Sequence, residues 1–474
     1  MGEGSPQVYL SVMAVTKGGS VFGDRFKNAF DDIPTLWINA ARISAIITGI
    51  GILYSPSVAS VALVTTYVAF VASGQAVARF TQVFARPSVY WGVIFLSVVL
   101  IGMTYASVPW SDRGTDLLKW RTMLWFVVLL SIFDDERWKT RLLVTFVAGT
   151  AVALVASFVT ATGWVTLWRG PEALLRNAVT QGMGFAVAAL ACLWMFLEKR
   201  FQEHMRWIVP VLGLLYVANM VFITNGRSGY VILGIGCAVL LMWKAAPLWQ
   251  LAIVLGLSLM AILAFSLSSR MQDNIVLGVN QWVQEPESAT LTDMASRRVY
   301  YQNTLEILHD HWLIGIGTGG FKQAYTEQVT RKYDPSNWRA EPIGDPHNQY
   351  LAVFAQHGIG GLAVFLVWIV AIARDMRGLP KYRKLALGLL FGWCVTSLFS
   401  SHFRTFAEGH LITTFLGVLL SAPAMEDKSE VVSAPTADSP LLQREAQDET
   451  SGLIDAQARL LNERHDMLVF LRKV

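Results

Sequence analysis

The sequence predicts an all-α, polytopic membrane protein with about twelve transmembrane helices and one large periplasmic loop that contains short amphipathic helices. Three observations lead there. Of 474 residues, 54% are apolar and only 15% charged, which excludes a disordered or fibrous chain and disfavours a soluble globular one. Stretches such as 61–78, 88–105 and 251–269 carry no Asp, Glu, Lys or Arg, and each can cross a hydrocarbon core of about 30 Å as a helix. Lys and Arg also crowd into alternate loops, as spans that fix an orientation require.

Taken in order, the apolar runs are 38–54, 57–78, 88–108, 117–133, 140–160, 178–197, 207–223, 229–243, 248–268, 349–373, 385–401 and 407–423. With the amino terminus cytoplasmic, one set of short loops and that terminus hold 17 Lys and Arg, among them Arg79, Arg86, Lys139 and Arg374. The opposite short loops hold five: Arg113, Arg169, Arg176, Arg227 and Arg404. The positive-inside rule then places both termini in the cytoplasm. Residues 1–37 form a cytoplasmic amino-terminal segment without the compact apolar core of a cleavable signal. Residues 38–268 hold nine spans, 269–348 the periplasmic loop, 349–423 three more spans, and 424–474 a polar cytoplasmic tail with a helical stretch over 453–471.

The long loop is the exception in a chain of short connections, and loops of that length are usually functional. Within it, Ser296 to Trp312 reads as an amphipathic helix, with Tyr301, Leu305, Leu308 and Trp312 at helical spacing, ended by Gly315-Ile-Gly317-Thr-Gly319-Gly320. A second short helix follows over 321–333, and both are expected near the membrane interface.

A net charge of +4 gives no reason to expect nucleic acid, and Cys192, Cys237 and Cys394, all in apolar stretches, form neither a metal cluster nor a disulfide framework. The informative anomaly is the set of outer cations: Arg176, Arg227, Arg297, Arg298, Arg339 and Arg404, with Lys119 and Arg121 opening the fourth span. Any one of them alone suits headgroup anchoring or snorkelling. Together they suit an anion, because forked guanidinium donors match the oxygens of a lipid diphosphate. Arg227 is held in the tight turn Asn225-Gly226-Arg227-Ser228-Gly229, and Arg297 shares a helical face with Tyr301, Thr304, Leu308 and Trp312, whereas Arg298 shares one with Tyr301 and Leu305. Periodicity does not choose between these two.

In Asp345-Pro346-His347-Asn348-Gln349-Tyr350-Leu351, Asp345 is expected to cap a helix, Pro346 to take its first position and His347 to fall in its first turn. The helix dipole would hold His347 neutral and able to accept a proton. Asn348, Tyr350 and Gln181 are further substrate-binding candidates at the same end of the spans. The chain offers no His-x-x-x-His pair and no Walker sequence, so neither a metal nor another cofactor is expected. A donor already activated as a lipid diphosphate needs neither: arginines stabilise the departing diphosphate while a neutral His deprotonates the attacking hydroxyl.

These residues resemble the O-antigen ligase family, within the group that also holds O-antigen polymerases and protein O-oligosaccharyltransferases. The likeness rests on Ser296-Arg297 with Tyr301, His311-Trp312-Leu-Ile-Gly315-Ile-Gly317-Thr-Gly319-Gly320-Phe321, Pro346-His347-Asn348-Gln349-Tyr350-Leu351 and His357-Gly358-Ile359-Gly360-Gly361. It implies a metal-independent, inverting glycosyltransferase that moves polysaccharide from undecaprenyl diphosphate to lipid A-core at the periplasmic face of a Gram-negative inner membrane. It maps Arg227 and Arg297 on the family's outer arginines and His347 on its loop histidine. Trp312 departs from the pattern, where the group usually has Pro. An O-antigen polymerase, a protein glycosyltransferase or a non-enzymatic flippase of lipid-linked sugars are the rival expectations.

Overall fold

A computed structural model describes residues 33–167, 169–199, 207–243, 245–283 and 294–422. The tail helix expected over 453–471 and residues 1–32 lie outside them. The described residues belong to one compact unit within Met1–Pro423. They form helices and no strand: α1 (Ile33–Tyr54), α2 (Pro56–Ala72), α3 (Ala76–Phe84), α4 (Pro87–Tyr105), α5 (Trp110–Leu118), α6 (Arg121–Ile132), α7 (Glu136–Ala161), α8 (Ala178–Leu197) and α9 (Ile208–Phe222). There follow α10 (Arg227–Met242), α11 (Pro247–Leu267), α12 (Ser269–Val283), α13 (Met294–His311), α14 (Phe321–Lys332), α15 (Gln349–Asp375), α16 (Arg383–Thr396) and α17 (Phe406–Leu420).

Each of the twelve apolar runs is helical, ten of them in a single helix and 57–78 and 117–133 in parts of two, and the lengths differ in a way that matters. Helices α1, α4, α7, α8, α11 and α15 are long and apolar enough to cross a membrane, and α2 with α3 adds a seventh if a pair bent by 100° is one span. The chain is a multi-pass membrane protein. Helices α9, α10 and α17 are apolar but have only 15 or 16 residues. The run 117–133 splits into α5 and the 12-residue α6.

Helix α12 was not foreseen. It is tied to the end of α9, with Ser268 Oγ, just before it, donating to Val221 O (2.6 Å) and its Arg270 Nη1 to Ile223 O (2.8 Å). A composition of alternating polar and apolar residues without a long apolar run hides such a helix from a search for spans.

Helix α10 lies between α8 and α16 and packs closely on both. Close approach to α8 depends on glycine: a Cβ on Gly182 would sit 2.9 Å from Gly226 O, and one on Gly229 would overlap the Gly182 carbonyl. Helix α15 is broken at Gly358, whose φ of 63° and ψ of −169° are open only to glycine. The Gly-rich run repairs the break, as Ile316 N and Gly317 N donate to Ala355 O and Gln356 O, both at 2.9 Å.

Cations are treated differently at the two ends of the bundle. In the Lys- and Arg-rich connections, Arg42 and Arg79 pair with Asp134, Arg86 with Asp375, and Lys381 with Glu136. At the opposite end, Lys119 and Arg404 share Asp116, while Arg121, Arg176 and Arg297 have no carboxylate partner among the described residues.

Candidate active site

The turn before α10 is built from buried hydrogen bonds. Gln181 on α8, fully buried, donates to Thr224 Oγ1 (2.9 Å) and to Pro171 O (2.9 Å) and accepts from Leu175 N (3.1 Å). Thr224 Oγ1 in turn donates to Asn219 Oδ1 (2.8 Å), and Asn274 of α12 donates to Asn225 Oδ1 (3.1 Å). These bonds fix the backbone that launches Arg227 as the first residue of α10. The Arg227 guanidinium rests over Gly278 of α12, where a Cβ would come within 2.7 Å of Nη1. Gly278 is therefore a specificity of space: a larger residue there displaces the cation.

Helix α13 supplies the second cation. Its buried face runs through Ser296, Tyr300, Asn303, Thr304, Ile307 and Leu308, and packs with Phe321, Tyr325 and Ile343. Leu305 and Trp312, which the sequence reading sets on the stripe toward the membrane interface with Tyr301 and Leu308, are 54% and 55% exposed, while the loop beyond α14 and the start of α15 cover the neighbouring face. This rotation separates the two arginines. Arg297 lines a cavity of about 410 Å³ together with Arg227, Ser228, Asn274 and Trp282, under Phe399 and Thr396 from the end of α16. Arg298 turns away from it and donates to Trp282 O at 3.3 Å. Burial and the neighbouring Arg227 lower the pKa of Arg297, and Tyr301 opposes them. The residue stays cationic, since guanidinium does not deprotonate in proteins.

His347 is not among the residues that line that cavity, but it lies close enough to Arg297 to feel its charge. Here the sequence reading needs correction: the helix begins at Gln349, its cap is Asn348, whose Oδ1 accepts from Tyr350 N (3.0 Å) and Leu351 N (3.1 Å), and His347 precedes it in a left-handed backbone with φ of 55°. Asp345 instead accepts from His347 N (2.8 Å) and from Ser401 Oγ (2.7 Å). Asn348 outcompetes Asp345 because a cap needs its oxygen one residue before the first helical turn. The His347 ring stacks on Tyr300 at 5.8 Å, and its carbonyl accepts from Tyr301 Oη at 3.1 Å. Its pKa is lowered by burial and by the charge of Arg297, against Asp345. Imidazole is therefore held neutral, but by desolvation and a neighbouring cation rather than as a member of a helical turn.

From the connection between α16 and α17 the sequence reading singles out only Arg404, as an outer cation, yet the rest of that connection braces this histidine. Tyr301 Oη donates to Leu398 O (2.8 Å), Gln349 N to Ser397 O (2.8 Å) and Phe403 N to Gln349 Oε1 (3.2 Å). His402 there is 2% exposed with neither ring nitrogen hydrogen-bonded. Burial pushes its pKa down to about 4, against Glu408 and Asp345, with Arg297 and His347 adding to the fall. A histidine beside a Ser-Ser pair gives no sequence signal of this kind.

The remaining candidates divide. Tyr350 donates to Cys394 O (2.8 Å), and with Gln181 and Asn348 has its polar atoms engaged inside the fold. Arg121 and Arg176 meet over one ring, that of Phe406, at 5.1 and 5.7 Å from its centroid. Lys119 binds Asp116 (2.7 Å), and Arg339 lies over Trp338 (4.9 Å). None of these lines the cavity of Arg227 and Arg297. Among the described residues, no three His, Cys, Asp or Glu side chains converge as a metal site.

Residues 212–366 match the family model described as O-antigen ligase, Wzy_C. No curated protein matches the chain. The matched segment runs from α9 into α15, about a third of the chain, and contains Arg227, Arg297 and His347.

Proposed function

We propose that the chain is an inverting glycosyltransferase that moves O-antigen polysaccharide from undecaprenyl diphosphate to a hydroxyl of lipid A-core. The observation that carries this reading is the pair Arg227 and Arg297 on one mostly apolar cavity, with Arg297 electrostatically coupled to His347. Apolar walls suit a prenyl chain, and two guanidinium groups suit its diphosphate. The acceptor oxygen bonds to the anomeric carbon as the carbon–phosphate oxygen bond breaks; its proton goes to His347, and the electron pair leaves with the diphosphate held by the arginines. The donor is already activated, so neither nucleotide nor metal enters the step. Arg121, Arg176, Arg298, Arg339 and Lys119 are proposed to act on lipid and substrate headgroups around this centre. In this reading all twelve helical runs cross a Gram-negative inner membrane, both termini are cytoplasmic, and residues 269–348 face the periplasm.

Purified protein in proteoliposomes, given lipid-linked polysaccharide and lipid A-core, is expected to form ligated product without ATP, and His347→Ala to form none while remaining folded. A folded parent that forms no product would favour a flippase. A deletion strain whose core carries a single repeat would favour a polymerase, whereas bare core with accumulated lipid-linked polymer supports the ligase.

A further inference from the structure

A second cavity, of about 460 Å³, opens between α5, the Gly-rich run and α14, and shares no lining residue with the first. Its volume falls in the range of ligand pockets, about 300–1,000 Å³. Its walls are mixed: beside Val108 and Phe321 they carry Asp112, Thr115 and Asp116 from α5, Lys119, then Lys322 and Glu327 from α14. The frame is fixed, because Gly319 is packed against the Asp112 carbonyl and its N–H donates to Gln356 Oε1 at 2.9 Å.

One of the lining residues is an incompletely satisfied carboxylate. Asp116 Oδ1 takes both Lys119 and Arg404, yet Oδ2 is buried with no partner, and the side chain is only 7% exposed. A buried polar atom without a hydrogen bond is costly, and Asp116 bears that cost while holding Lys119 and Arg404 on its other oxygen at the cavity wall.

The composition selects the ligand. Three carboxylates against Lys119, Lys322 and the Arg404 bound to Asp116 leave no net charge to favour an ionic ligand, and among the described residues the carboxylates do not converge as a cation site. Alternating donors and acceptors at fixed positions match a neutral molecule whose every hydroxyl both donates and accepts. Position adds the rest: Gly344 lines this cavity and His347 is three residues on, at most about 11 Å away along an extended chain.

We propose that this cavity is a saccharide subsite that seats a neutral, polyhydroxylated sugar next to the reacting hydroxyl. The proposal rests on the glycosyl-transfer reading and adds to it where the sugar is held. The sugar belongs to the acceptor core or to the donor glycan, and kinetics separate the two.

The test uses the full chain in nanodiscs and saturation-transfer NMR with two probes: soluble core oligosaccharide and soluble O-antigen repeat oligosaccharide. Thr115→Trp fills the cavity from an exposed helix face, and Glu327→Gln removes one acceptor charge at an exposed site with little change of shape. The parent is expected to show sugar contacts that weaken by about tenfold in Thr115→Trp and about threefold in Glu327→Gln, with undecaprenyl diphosphate binding unchanged in both. A raised KM for lipid A-core at constant kcat assigns the sugar to the acceptor, and a raised KM for the donor assigns it to the donor glycan. Absence of sugar contacts in the parent, or unaltered contacts in both variants, overturns the subsite. Sugar contacts that depend on the cavity in a parent with no ligation would leave the subsite standing and sink the ligase reading instead.

Discussion

Arg297 and Arg298 are adjacent, equally basic and indistinguishable by helical periodicity, so exchanging each for Gln tests the site directly. Arg297 shares a cavity with Arg227 and has no carboxylate partner among the described residues, whereas Arg298 makes a 3.3 Å contact with the Trp282 carbonyl. Removing one preorganised donor from a group that gains charge in the transition state costs about 10²–10³ in rate. With Arg227 still in place, the expected loss for Arg297→Gln is about 10²-fold, or about 2.7 kcal/mol at 1.36 kcal/mol per decade. A partly exposed cation with one marginal hydrogen bond contributes about 0.5 kcal/mol or less, so Arg298→Gln should fall by about twofold. Arg297→Lys keeps the charge but loses the fork and should lie between, at about tenfold. Initial rates with acceptor saturating and donor varied measure all three. Relief of repulsion between Arg227 and Arg297 should also leave Arg297→Gln at least as heat-stable as the parent, which excludes unfolding as the cause of its loss. Rates for Arg297→Gln and Arg298→Gln that agree within threefold would refute the assignment.

The acid limb of the pH profile should lie below the ordinary histidine value of 6.5, because burial and Arg297 lower the pKa of His347; transfer is then flat through neutral pH and falls only on further acidification, and a limb above 6.5 would contradict the site's electrostatics. Gly229→Ala places a methyl group into the Gly182 carbonyl and should push α10 from α8 at a cost of about 1–3 kcal/mol, read as a lowered Tm together with lost transfer. His402 is buried neutral with its pKa near 4, so unfolding takes up a proton between pH 6.5 and about 4, and stability falls as pH drops through that window. In His402→Leu that dependence should be weaker by up to about 1.4 kcal/mol per pH unit, seen in thermal unfolding at pH 6.5 and 5; parallel curves would show that His402 is reached by water.

Much of the fold was legible because a membrane leaves its mark residue by residue. Apolar runs marked where helices lie, though 117–133 proved to be two, Gly315 marked the end of α13, and Phe321 opened α14 as expected. What the sequence conceals is anything decided by rotation or by distant contacts. The face that α13 buries is chosen by Phe321, Tyr325 and Ile343, residues outside the helix, and this alone separates Arg297 from Arg298. Helix α12 has no long apolar run, yet it forms the wall on which Arg227 lies.

The two motif blocks around Gly315–Gly320 and His357–Gly361 behave as one device, and this explains why residues so far from Arg227 accompany the site. The break at Gly358 frees carbonyls in the middle of α15, and unsatisfied carbonyls inside a bundle are costly. Ile316 N and Gly317 N take those of Ala355 and Gln356, which is possible only because Gly317 accepts a φ of 84° and because Gly358 leaves room for Leu313 O. The first turns of α15 are thereby oriented by the loop rather than by the long helix that follows. Asn348 caps those turns and His347 is fastened to the cap, so the direction of the imidazole is set by hydrogen bonds made at Ala355 and Gln356, two turns further along the helix. A histidine in a left-handed backbone cannot fix its own direction; the break in α15 and the glycine run that seals it do so.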